Sequence, residues 1–119
     1  MGNYYGSALN KFIGENCPHD FTNINIDCLQ LRWEDKIMRL IEFKHTTEKL
    51  GKQQYKALKF LSDRLCQLSF DGWQFKTYII KGDEPFNQIE IISLDNNTTQ
   101  VINGRDNVIQ WLSFRLDNK

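Results

Sequence analysis

The chain alternates between two hydrophobic periods, and the switches between them mark out its elements. Leu9, Phe12 and Ile13 recur at helical spacing after Ser7, a fit N-cap, so a first helix is predicted from Gly6 to Cys17, ended by Pro18. From Thr22 to Arg32 the period falls to two: Ile24, Ile26 and Cys28 share one parity, Leu29 and Leu31 the other. A second strand is predicted from Lys36 to Lys44, and Glu34-Asp35 between the two reads as a hairpin turn. The helical period returns from Lys52 to Leu68, where Leu50, Ala57, Leu58, Leu61, Leu65 and Leu68 fall on one stripe. Lys49, Lys52, Lys56 and Lys59 lie nearly opposite, as a solvated back face. After the Asp71-Gly72 turn come strands at Gln74–Lys81, Gln88–Leu94 and Thr98–Ile102, then a last helix from about Gly104 with Val108, Ile109, Trp111, Leu112 and Phe114. The predicted fold is α/β: a mixed central sheet of four to five strands flanked by helices.

Size and composition narrow the class. A length of 119 residues predicts one domain over 1–119, with a hydrophobic fraction of 40% that suits a folded core. No apolar run approaches the ~20 residues of a membrane span, and the first residues lack the basic-then-apolar pattern of a secretory leader. Three cysteines, Cys17, Cys28 and Cys66, with no CxxC spacing, predict free thiols in a reducing, cytoplasmic setting, with Cys28 and Cys66 as core fillers. The formal net charge is zero, which disfavours a broad grip on duplex nucleic acid. The charge is uneven, however: from Lys44 to Arg64 basic residues outnumber acidic ones six to two.

The chemistry concentrates in the hairpin. A turn at Glu34-Asp35 sets Asp27 opposite Glu42, and alternation then places Asp27, Glu42 and Lys44 on one face with Leu29, Leu31, Met38 and Leu40. An apolar core face therefore ends in Asp, Glu and Lys. Two opposed carboxylates repel, so the cluster calls for positive charge from Lys44 and from a divalent cation, for which Mg²⁺ suits two carboxylates plus water. The alternative is an ionic cluster that satisfies itself at the end of a sheet. His45 points to the opposite face by alternation, and His19, after Pro18, reads as surface.

A strand ending in Asp27, then Leu40-Ile41-Glu42-Phe43-Lys44, then a helix opening Lys52-Gln53-Gln54-Tyr55-Lys56-Ala57-Leu58, resembles the PD-(D/E)XK nuclease superfamily over roughly residues 6–82. The resemblance implies a restriction-endonuclease-like core in which Asp27, Glu42 and the Phe43 carbonyl hold Mg²⁺, with Mn²⁺ as substitute, Lys44 is the catalytic lysine and Gln54 the helix glutamine. Gln53 is the second choice for that glutamine, and Glu15 is the available first-helix carboxylate. A strand before the Asp strand, usual in that core, has only residues 19–22 available to it. The function implied is metal-dependent hydrolysis of phosphodiester bonds by a small DNA endonuclease of structure-selective or repair type, with homodimerisation as a further expectation. The alternative is an inactive nuclease-fold module that binds or regulates. Tyr4-Tyr5 and Trp111-Phe114 are candidates for core or for a dimer interface, Trp111 and Phe114 more readily for core.

Overall fold

The computed structural model describes residues 8–18, 20, 27–67 and 71–116. Helix α1 (Ala8–Asn16) is followed by the hairpin β1 (Cys28–Arg32) and β2 (Ile37–Lys44), then by α2 (Lys52–Gln67). Strands β3 (Gln74–Gly82), β4 (Gln88–Ser93) and β5 (Thr98–Asn103) lead to α3 (Arg105–Leu112). The predicted element order is observed. The expected strand at 19–22, the strand residues Ile24 and Ile26, and Leu68, Tyr4-Tyr5 and His19 lie outside the described residues.

The five strands form one mixed sheet in the order β1-β2-β3-β4-β5. Among the described strands only β2 and β3 run parallel, because α2 carries the chain back between them. The β1–β2 hairpin has the expected register: Cys28 faces Ile41, Leu29 faces Leu40 and Arg32 faces Ile37. Its turn is wider than the two residues expected, running through Trp33–Lys36. Without a glycine to supply it, the left-handed residue is Lys36, at φ 58°. That conformation is held from both sides, since Lys36 Nζ donates to Asp71 O at 2.7 Å and Gln74 N donates to Lys36 O at 2.8 Å.

Two buried clusters fill the two faces. Ile41, Tyr78, Ile80, Ile89, Ile91 and Ile102 pack under Val108 and Trp111 of α3. Ile79 and Leu94, with Leu50 and Ile92 at the margin, pack under Leu58 of α2. Tyr78 and Ile79 are neighbours in one strand, so alternation puts the two helices on opposite faces. The larger core is thus on the α3 face and not on the face expected from Leu29, Leu31, Met38 and Leu40. Leu40 is buried, but Leu29 and Leu31 are exposed, because α2 packs over β3 and leaves the edge strand β1 uncovered. Cys28 and Cys66 are also exposed and not core fillers; both lie at margins, one at the head of the edge strand and one near the end of α2.

Gly82 ends β3 against β4. A Cβ there would stand 2.9 Å from Ile89 Cγ2 and 3.3 Å from the Gln88 carbonyl. Gly82→Ala is therefore expected to lower unfolding free energy by about 1–3 kcal/mol in urea denaturation, through overpacking of a buried pair.

Candidate functional site

The site is assembled where β1 begins and β2 ends, beneath the first turn of α2. Glu42 lies in the interior of the sheet, in register with Ile79 of β3, and only 4% of it is exposed. Its Oε2 accepts a 2.6 Å hydrogen bond from Gln54 Nε2, and Lys44 Nζ stands 3.7 Å from the same oxygen. Its Oε1 is buried without a hydrogen-bond partner. Burial pushes the carboxyl up to about 7 and the charge of Asp27 pushes the same way; the Gln54 hydrogen bond and Lys44 pull back less strongly. One side chain thus carries a costly charge and an uncommitted acceptor.

Asp27 precedes the first paired residue of β1, and its Oδ2 accepts a 2.8 Å hydrogen bond from Phe43 N. In a strand, the N–H and C=O of one residue point to the same edge, so the Phe43 carbonyl is directed to the Asp27 side as well. The Phe43 ring lies on the opposite face, against Phe86 and His45 at centroid distances of 5.8 and 5.2 Å.

The structure brings Asp27, Glu42, Lys44 and Gln54 together from the residue before β1, from β2 and from α2. Gln54 is joined to Glu42, whereas Gln53 is exposed. The difference follows from the helical turn, which directs only one of two adjacent residues to the sheet. Glu15 is exposed on α1. His45 is exposed, with Nδ1 3.3 Å from Asp83 Oδ1. That contact belongs to a clasp just beyond Lys44: the Thr46 hydroxyl and amide both donate to Asp83. These bonds, the hydroxyl's first, hold the Asp83 carboxyl below its usual range. The clasp ties the loop after β2 to the end of β3, and so fixes the strand end that carries Lys44. Asp83 was not foreseen as part of this arrangement, since a loop Gly-Asp-Glu-Pro carries no sign of a partner.

Among the described residues no group of three or more His, Cys, Asp or Glu is placed to hold a metal. A hard cation is served by fewer carboxylates, provided that neutral oxygens and water complete its shell. Asp27, Glu42 with its unpartnered Oε1, and the Phe43 carbonyl are the groups that could contribute to such a shell.

Set against protein-family models, curated proteins and solved structures, the chain matches none.

A buried cation, Arg39, lies on the other face of β2. Its guanidinium carbon is 4.0 Å from the Trp111 ring centroid and 3.9 Å from that of Phe114. Arg39 Nη1 donates to Trp111 O at 2.8 Å and to Gln30 Oε1 at 3.3 Å, while Gln30 Nε2 donates to Leu112 O at 2.9 Å. Burial pulls the Arg39 pKa down. The residue closes the C-terminal end of α3, where free carbonyls favour a cation.

Proposed function

We propose that the chain is a Mg²⁺-dependent nuclease that hydrolyses phosphodiester bonds, DNA foremost, with a core of the PD-(D/E)XK kind. The observation that carries this reading is Glu42, buried, with one oxygen fixed by Gln54 and the other left unpartnered near Asp27. An ionic cluster that satisfied itself would pair that oxygen; a cation site leaves it open. Asp27, Glu42 and the Phe43 carbonyl would hold the metal, which when bound would polarise a phosphate oxygen and make a bound water more acidic.

The remaining work falls to the chain. Gln54 locks Glu42 in one rotamer and decides which of its oxygens faces the site. The Phe43 amide does the same for Asp27. Lys44, a compact charge beside Glu42, orients the attacking water and stabilises charge gathering on the phosphate. The Thr46–Asp83 clasp keeps the lysine at that position.

The test is nicking of supercoiled plasmid and of branched DNA by the purified protein. With Mg²⁺ or Mn²⁺ the expected result is cleavage that EDTA abolishes and that Glu42→Ala removes. No cleavage of any DNA or RNA form with either metal, or equal cleavage by Glu42→Ala, overturns the reading. Zero net charge favours a second reading, a nuclease-fold module that binds without cutting.

A further inference from the structure

The face that carries Glu42 continues down the hairpin as an open trough. Alternation places Asp27, Leu29 and Leu31 along its outer side, and Leu29 is 54% exposed. At the far end stands Trp33, 72% exposed and held edge-on by Trp73 at a centroid distance of 5.5 Å. The five residues of β1 separate Asp27 from Trp33, about 20 Å.

The other side is α2. Gln54 reaches back to β2, whereas Lys59, Ser62 and Cys66 reach forward to Leu94, Asp95 and Phe75. The helix period then sets Phe60 and Arg64 on the outer shoulder that overlooks β1. Phe60 is 59% exposed, with the Arg64 guanidinium 4.6 Å from its ring centroid. Along the crest Lys49, Lys52 and Lys56 are exposed and make no ion pair among the described residues. Lys59 is different, being tied to Asp63 and to the Leu94 carbonyl.

We infer that this trough binds single-stranded nucleic acid, with bases stacked on Trp33 and Phe60 and the backbone drawn along the Lys49–Lys52–Lys56 crest into the Glu42 site. The inference rests on the nuclease reading only for the direction of the strand. The occupant follows from the chemistry of the walls. Exposed aromatic side chains on the walls, with lysines along the crest that make no ion pair among the described residues, suit unstacked bases with their phosphates. A duplex hides its base faces and needs a broader basic surface than a chain of zero net charge offers. A second copy would bring an equal set of lysines against these lysines.

The test is fluorescence anisotropy of labelled 12-nucleotide oligo(dT) and oligo(U) with the full chain in EDTA at low salt, so that binding is read without cleavage. The two oligomers separate DNA from RNA as the source of the strand. The expected result is binding of at least one of them tighter than a duplex of equal length by tenfold or more. Trp33→Ala and Phe60→Ala should each weaken it about tenfold, and Lys52→Ala should reduce the salt dependence by about one ion. Stacking on Trp33 should also quench tryptophan fluorescence, and Trp33→Phe should remove most of that quenching. Both aromatic side chains are exposed, so thermal melting of the variants is expected to match the parent and exclude misfolding. Duplex bound as tightly as single strands overturns the inference, and so does unchanged binding by both alanine variants. A concentration-dependent dimer that Trp33→Ala dissociates assigns the trough to a second copy and overturns it too. Binding without cleavage in Mg²⁺ would count against the nuclease reading and leave this one standing.

Discussion

Glu42→Gln is expected to lose Mg²⁺-dependent cleavage by on the order of 10²–10³-fold and, above pH 7, to be more stable than the parent. Both effects come from one charge. In the folded chain the Glu42 carboxyl titrates at about 7, against 4.5 for an ordinary glutamate. Between these values the folded state holds more protons than the unfolded state. The contribution of this group is therefore fully present below about 4.5, falls as pH rises to about 7, and is level beyond. A separation of that size corresponds to about 3 kcal/mol lost across the window. Glutamine matches the shape of glutamate and does not ionise, so the variant should show no such loss. Urea titrations at pH 4.5 and pH 8 give the measurement: the two proteins should converge at the lower pH and separate by about 2–3 kcal/mol at the higher. Mg²⁺ should raise the melting temperature of the parent and leave that of the variant unchanged, since a ligand stabilises only the state that binds it. A variant that is less stable at pH 8, or that still cleaves, would remove Glu42 from the proposed role.

Trp111→Ala should destabilise the fold by about 3–5 kcal/mol, enough to leave the protein partly unfolded at 37 °C. The side chain is fully buried, lies edge-on to Tyr78 at a centroid distance of 5.1 Å and forms one wall around Arg39. Its removal opens a cavity in the larger core. It also strips one aromatic face from a guanidinium whose Nε has no hydrogen-bond partner. Arg39→Ala in the Trp111→Ala background should consequently add much less than it does alone. Chemical denaturation of the four proteins of that cycle measures the coupling, and additive losses would show that the clamp has no energetic content.

The sequence disclosed the elements more clearly than their covering. Periodicity separated helices from strands because each apolar stripe here is regular and each interval holds a turn residue. The hairpin register was legible because a turn centred on Glu34-Asp35 leaves one pairing, and the ladder from Cys28 to Arg32 follows it. Alternation names a face, however, and does not say what lies on it. Leu29 and Leu31 share the Leu40 face and are exposed, since α2 crosses to pair with β3. Arg39 within Met38-Arg39-Leu40 gave no sign of Trp111 and Phe114, which follow more than seventy residues later. Of the candidate site, the meeting of Asp27, Glu42, Lys44 and Gln54 was legible in the spacing of the chain; the Thr46–Asp83 clasp, formed by two loops, was not.

Strand β2 carries a buried carboxylate on one face and a buried guanidinium on the other. This pairing acts as a proofreader of folding. Sliding the hairpin by one residue would exchange the faces, setting Glu42 among Tyr78 and Trp111 and moving Arg39 away from its aromatic rings. Each misplaced charge would then be stranded without its partners, so the mispaired chain is penalised twice for one error.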